Sequence, residues 1–232
     1  MRSGRIIDDS GLRSKTHMFK DRCEAGRLLA SILRRRPHED SLVLAIPSGG
    51  VPVGYCVAEQ LKIPLDIVVV RKIPVPGNPE AGFGAVALDG TVALNERLVD
   101  ELGLDQETIS RLAASRLREI EERLEKFRGD RKPADLYQKD LILVDDGLAS
   151  GYTMLVAVRS LKKHDPRSVT VAIPTAHSEA LRLVASEADE VYCLNVRSGF
   201  LFAVADAYVD WYDLDDREVQ EYLLKAWGRS SE

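Results

Sequence analysis

Short apolar blocks alternate along the chain with segments of helical spacing. A polar, aperiodic stretch, residues 1–17, is read as a flexible tail. Beyond Met18, residues Phe19, Cys23, Ala25, Leu28, Leu29, Ile32 and Leu33 recur at helical spacing, and the polar residues 34–40 end that segment. The run 42–46 reads as a buried strand, 51–61 as a helix, and 65–70 as a second buried strand closed by Arg71 and Lys72. Strand, helix, strand implies a parallel crossover. Residues 73–81, rich in Pro and Gly, are too irregular for a helix or a central strand. Residues 83–88 and 91–94 flank Asp89-Gly90 as a hairpin. A long charged helix over 105–128 places Leu112, Leu117, Ile120, Leu124 and Phe127 near one face. Strand 141–144, a helix from about Tyr152, strand 169–173, helix 178–186 and strand 190–196 complete the alternation, and an aromatic-rich end carries a short helix near 217–226. The pattern predicts an α/β fold with a mainly parallel sheet.

Composition narrows the function classes. A hydrophobic fraction of 45% and a charged fraction of 30% over 232 residues fit an ordinary globular chain with a substantial core. A net charge of -5 without a basic block argues against nucleic acid as partner. No apolar stretch reaches transmembrane length, so no membrane partner is expected and the cytoplasm is the default location. The three cysteines, Cys23, Cys56 and Cys193, are widely spaced and form no CxxC pair, which predicts neither a disulfide scaffold nor a zinc site and suits a reducing compartment. His17, His38, His164 and His177 show no metal-ligand spacing and receive no role.

The chemistry concentrates in LILVDDGLASGYT, residues 141–153. An apolar strand runs into Asp145 and Asp146, which places two carboxylates at the carboxyl edge of the sheet, where open α/β folds bind ligands. Adjacent acids can accept hydrogen bonds from vicinal hydroxyls. The small-residue turn Ala149-Ser150-Gly151 lets backbone N–H groups and the hydroxyls of Ser150 and Thr153 wrap a phosphate, and the following helix N-terminus favours an anion.

This run resembles the signature of the type I phosphoribosyltransferases, and the type I phosphoribosyltransferase fold is therefore expected, with a flexible loop or hairpin and a small C-terminal hood. The resemblance implies that Asp145 and Asp146 hold the ribose hydroxyls of 5-phosphoribosyl 1-pyrophosphate, and that Gly147, Ala149, Ser150, Gly151, Tyr152 and Thr153 surround its 5-phosphate. Gly147 departs from the family, which usually has a larger apolar residue there. Residues 45–51 (AIPSGGV) resemble the family's pyrophosphate loop, with Ser48, Gly49 and Gly50 as donor contacts; glycine lets the backbone approach closely and eases the strained or cis peptide common there. Ser48 stands where many relatives carry Arg or Lys, so one pyrophosphate contact must be weaker or come from elsewhere. Arg71 and Lys72 match a basic position facing pyrophosphate. Residues 74–81 (PVPGNPEA) resemble the flexible catalytic loop that closes over the reaction centre, with Asn78 and Glu80 as contacts. More narrowly, FKDRCEAGRLLA (19–30), IPSGGVPVGYCVAEQL (46–61) and VVVRKIPVPGNPEAGFGAV (68–86) resemble a group of bacterial and archaeal phosphoribosyltransferases of unassigned substrate, so that most of 19–227 is covered.

The resemblance further implies Mg2+ as cofactor, bridging pyrophosphate and ribose oxygens, with Asp145 and Asp146 acting on it indirectly through ribose or water. It places a hood over about 197–227, within a domain spanning 18–232. Phe202 would stack on a nitrogenous acceptor, with Asp206 at its polar edge; Phe200, Phe202, Tyr208 and Trp211 could equally form a small core. Ala149 occupies a position that is commonly Asp in 6-oxopurine enzymes and Ala in uracil-type relatives. Alanine cannot act as a general base, which ranks pyrimidines or an unusual nitrogen acceptor above 6-oxopurines. A homodimer is the expected assembly. A non-catalytic sensor of phosphoribosyl pyrophosphate or nucleotide on the same fold is the main alternative, favoured by Ser48. A dinucleotide-dependent oxidoreductase is disfavoured because no GxGxxG opens a helix after a strand.

Overall fold

The continuous apolar runs become strands buried on both faces, as a parallel sheet between two helical layers requires. The computed structural model describes residues 4–33, 40–199 and 201–228. Its main sheet has six parallel strands in the order β1-β9-β8-β7-β2-β3: β1 (Arg5–Asp8), β2 (Ser41–Ala45), β3 (Leu65–Ile67), β7 (Asp140–Val144), β8 (Ser168–His177) and β9 (Glu190–Arg197). Alternate side chains of one strand point to opposite faces. Val43, Ala45, Ile142 and Val144 enter the core under α1 (Arg22–Leu33) and α2 (Gly50–Leu61), while Leu42, Leu44, Leu141 and Leu143 enter the core under α5 (Tyr152–Lys162) and α6 (Ser178–Ala185).

After β2 the chain passes to β3 on one side; after β7 it passes to β8 and β9 on the other. Strand order therefore reverses between β2 and β7, the place where open α/β sheets form a crevice. The two strands pair in register, with Ala45 opposite Val144, so the loops that follow them leave the sheet level with each other.

A second, antiparallel sheet is built by β4 (Val70–Val75), β5 (Asn78–Ala87) and β6 (Val92–Leu94). The expected single strand 65–70 is thus split: β3 stays in the main sheet, and Arg71 and Lys72 lie inside β4 rather than at the end of a core strand. The segment 73–81, expected as an irregular loop, is a hairpin that turns at Pro76-Gly77. Gly77 has φ +79°, the conformation a Pro-Gly turn demands at its second central position. The hairpin predicted around Asp89-Gly90 is present, with Gly90 also at φ +79°.

Two more expectations are corrected. Residues 1–17 are not a loose tail throughout, because Arg5–Asp8 add as β1 to the edge of β9. Their alternation is too short to stand out in sequence, and the free edge of β9 supplies the hydrogen bonds. Cys23 and Cys56 form a disulfide, with Cα atoms 5.6 Å apart, because α1 and α2 pack side by side and bring together residues 33 positions apart. The cysteine count therefore no longer argues for a reducing compartment.

The helix α3 (Glu96–Leu102), capped by Asn95 and ended by Gly103 at φ +60°, was not anticipated. The long helix expected over 105–128 is α4 (Gln106–Arg128), and Asp105 is its N-cap, accepting from the N–H of Thr108 at 2.7 Å. Ile120 and Phe127 are buried as expected, and Leu112, Leu117 and Leu124 pack partly buried beside them. The C-terminal end of α4 is fixed by a buried ion pair. Asp66 of β3 accepts from Arg128 Nη1 at 2.9 Å and from the N–H of Ala134 at 2.8 Å, and Arg128 Nη2 donates to the carbonyl of Ile67 at 3.2 Å. The chain closes with a 3-10 turn at Val204–Ala207 and with α7 (Asp216–Gly228), which packs on α2 and α4. No helix among the described residues is long and apolar enough to cross a membrane.

Removing one partner of a buried pair strands the other charge, at a cost of about 3–5 kcal/mol. The substitution Asp66→Ala is expected to lower unfolding stability by an amount in that range, measured by urea denaturation. A loss of about 0.5 kcal/mol, typical of surface sites, would show that Asp66 does not anchor α4.

Candidate functional site

Two loops meet at the crevice between β2 and β7. The first, residues 46–50, turns tightly into α2: the N–H of Gly50 donates to Ile46 O at 3.1 Å, and the Pro47–Ser48 peptide is cis. The second carries Asp145 and Asp146. A Cβ on Gly49 would lie 1.8 Å from Asp146 Oδ2, and one on Gly50 would lie 2.8 Å from the carbonyl of Val144. Both glycines are therefore fixed by contact between the loops. The structure sets Gly49 against Asp146 and Gly50 against Val144 and Asp145, with Ser48 in the same turn.

Asp145 Oδ1 accepts the N–H of Asp146 at 2.8 Å. Asp146 Oδ2 accepts from Arg22 Nε at 2.9 Å. Arg22, at the start of α1, is 7% exposed; its Nη1 donates to the carbonyl of Tyr212 at 2.9 Å, and its guanidinium lies 3.9 Å from the ring centroid of Trp211. The Tyr208 hydroxyl donates to the Asp146 carbonyl at 2.6 Å. Burial, then the charge of Asp146, pushes the Asp145 carboxyl well above its ordinary value. Burial also raises Asp146, opposed by Arg22. Burial, with the Asp146 charge behind it, holds the Tyr208 phenol protonated, far above its ordinary range. A ligand that donates hydrogen bonds from two neighbouring hydroxyls would restore part of what the two carboxylates lose by leaving water.

The signature loop is tied to the sheet at Leu148, whose N–H donates to Thr175 O while its carbonyl accepts from His177, each at 2.9 Å. Ala149 and Ser150 are exposed beyond that tie. Gly151, at φ +84°, is the N-cap of α5 and makes no side-chain cap bond. The first N–H groups of α5 thus follow an exposed turn, a geometry suited to an anion. The Tyr152 side chain does not join them; it lines a cleft with Leu94, Glu96 and Gln106, so only its backbone belongs to the turn. Gly147 is explained by packing: a Cβ there would lie 2.6 Å from Val204 and 2.9 Å from Thr175.

The basic pair of β4 divides. Successive strand residues face opposite sides. Arg71 turns toward α4, with Nε 3.5 Å from Glu119 Oε2. Lys72 lies along β5, where a Cβ on Gly82 would meet its Cγ at 2.4 Å. The Glu80 side chain and Phe200 lie outside the described residues, and Asn78 Oδ1 accepts the N–H of Ala81 at 3.3 Å within the hairpin. In the hood, Phe202 sits 5.7 Å from the ring of His177 and under Arg197 at 4.9 Å. Asp206 pairs with Arg197 Nη2 at 2.9 Å, which holds its carboxyl below the ordinary value. Tyr208 instead belongs to a small core with Phe19 and Trp211. The aromatic segment therefore divides between packing and the open face.

Sequence reasoning missed Arg22, Arg197 and Arg123, and it offered Tyr208 as a core residue without its bond to the Asp146 carbonyl. Arg22 lay in a motif already singled out, but nothing in its spacing pointed to a carboxylate 124 positions away.

A carboxyl whose value is raised in the folded state binds protons more tightly there than in the unfolded chain. Its favourable contribution is full below the ordinary carboxylate value, about 4, and is lost as pH rises through the raised value. Asp145→Asn should therefore be more stable than the parent at pH 8, and the advantage should shrink as pH falls toward 4. Denaturant unfolding at a series of pH values checks this; a constant difference would show that the folded state does not raise the Asp145 carboxyl.

The phosphoribosyl transferase domain family matches residues 22–210. Proteins of two Mycobacterium tuberculosis strains, named provisionally as phosphoribosyl transferases, are 37% identical to this chain over 209 residues, covering 90% of it and 47% of their own length. The chain thus spans about half the length of the curated relatives it matches. The crystal structure of TT1426 from Thermus thermophilus is similar, with TM-score 0.75 and 38% identity over 90% of this chain and 98% of that one. With the matched family model covering most of the chain and the reversed strand order carrying both loops to one crevice, this chain belongs to the phosphoribosyl transferase domain family.

Proposed function

We propose that this protein transfers the 5-phosphoribosyl group from 5-phosphoribosyl 1-pyrophosphate to a nitrogenous acceptor, with release of pyrophosphate. The observation that carries the reading is the contact between the two loops: Gly49 against Asp146, with Arg22 behind it. In this reading Asp145 and Asp146 hold the ribose hydroxyls, the turn 149–153 holds the 5-phosphate, and the loop 46–50 lies against the pyrophosphate. The acceptor nitrogen attacks the anomeric carbon as the bond to pyrophosphate breaks. The residues orient the donor and stabilise charge on the leaving group. The β4–β5 hairpin is the segment that excludes water from the sugar. Phe202 stacks on the acceptor, while Asp206, already engaged by Arg197, reaches it at most with its second oxygen.

Mg2+ fits this donor set. Asp145 and Asp146 offer oxygen ligands only, and no group of three acidic, His or Cys side chains converges among the described residues. A hydrated cation held jointly by the donor's oxygens and the acidic pair suits such a site better than an all-protein cage. When bound it would neutralise charge on the pyrophosphate.

The absence of a titratable group at Ala149 ranks pyrimidines or an unusual nitrogen acceptor above 6-oxopurines. Pyrophosphate release with uracil, orotate, hypoxanthine and guanine, by the parent and by Ala149→Asp, tests this; efficient hypoxanthine or guanine turnover by the parent refutes the ranking. Asp145→Asn combined with Asp146→Asn should weaken donor binding about tenfold or more, the effect of losing a charged acceptor. Calorimetry showing unchanged affinity refutes the donor site, and tight donor binding without turnover on any acceptor points to a sensor.

A further inference from the structure

The donor reading leaves a gap at Ser48, which contributes no charge beside the pyrophosphate. The structure fills that gap from a distant element. Arg123 of α4 donates from Nη2 to Ser48 Oγ at 2.8 Å. Its side chain is 19% exposed, and its other nitrogen, Nη1, lies 3.7 Å from Asp216. The guanidinium edge therefore ends at the loop itself.

Arg123 is not alone. Arg116, Glu119, Arg123 and Lys126 follow one another at spacings of three, four and three, so they share one stripe of the helix. Arg71 faces the same stripe from β4. Arg116 is bound to Glu119, and Lys126 to Asp216, each at 2.5 Å. Four cations thus gather around two carboxylates. The Nε donors of Arg71 and Arg116 are buried without a hydrogen-bond partner among the described residues. Burial and the nearby charge of Arg71 shift Arg123 downward, which records two like charges held close together. The two carboxylates leave this cluster with a surplus of positive charge, which a further anion would offset.

We propose that Arg123, supported by Arg71, binds the pyrophosphate of the donor in place of the basic residue missing at Ser48. The inference rests on the donor reading above and assigns its pyrophosphate contact to α4. A guanidinium presents paired N–H groups that match phosphate oxygens, so the side chain can keep its hold on Ser48 and offer a second edge to the ligand. The buried Asp66–Arg128 pair holds the same helix in place about one and a half turns further on.

The test is calorimetry on the full chain with Mg2+, using three probes: 5-phosphoribosyl 1-pyrophosphate, inorganic pyrophosphate and ribose 5-phosphate. Arg123→Gln should bind the first two about tenfold or more weakly and bind ribose 5-phosphate as the parent does. Adding Ser48→Arg to Arg123→Gln should restore pyrophosphate affinity. If Arg123→Gln does not fold, Arg123→Lys serves: it keeps the charge, loses the fork, and should weaken pyrophosphate more than ribose 5-phosphate. Equal weakening of all three probes, or none, overturns the assignment. A parent that binds ribose 5-phosphate and pyrophosphate, paired with variants that bind both unchanged, removes Arg123 from the site and leaves the donor reading standing. A parent that binds none of the three overturns the donor reading and this inference with it.

Discussion

Parallel pairing of β2 with β7 is the constraint on which the rest of the site depends. The register that sets Ala45 opposite Val144 releases two loops at one height, and the reversal of strand order keeps crossover helices from covering them. Everything polar in the crevice follows from how closely these loops approach. The distance leaves no room for a side chain at residue 49, so the carboxylate of Asp146 lies against bare backbone. A ligand bridging the loops meets backbone from one side and carboxylates from the other.

The loops are held from behind by elements remote in sequence. Arg22 and Tyr208 secure the side chain and the carbonyl of Asp146, respectively. Trp211 and Phe19 pack around these two in turn. Because Arg22 is buried and already engaged on three sides, its role is to fix the carboxylate rather than to meet a ligand. On the other side, α4 is moored at its C-terminal end by Asp66 and presents its charged stripe toward β4 and the first loop. The hood packs Val204 onto Gly147, which explains why a small residue stands in the signature.

Under the proposed function this arrangement trades stability for binding. Two adjacent, half-buried carboxylates repel each other and lose water, and one guanidinium relieves only part of that cost. Arg71, Arg116, Arg123 and Lys126 form a second such concentration along α4, of opposite sign, and Arg123 carries it to Ser48. A sugar diphosphate is the kind of ligand that relieves both at once, since hydroxyl donors satisfy the acids and phosphate oxygens satisfy the cations.

By itself the sequence determined the alternating α/β layout, the strand leading into Asp145-Asp146, the glycine loop after β2 and the long charged helix, because each rests on local periodicity, turn chemistry or a short contiguous motif. The caps of α3, Asn95 and Gly103, are equally local features of the sequence. Other features belong to the tertiary structure alone. Strand alternation and the packing of α4 decided that Arg71 and not Lys72 turns toward that helix; helix packing joined Cys23 to Cys56; an unpaired sheet edge recruited Arg5–Asp8. In the sequence Arg123 is one of many charges on a long charged helix, and only the docking of that helix against β4 brings it to Ser48. Contacts between residues 75 or 124 positions apart leave no trace in local spacing, because they are set by how whole elements bury their apolar faces against one another.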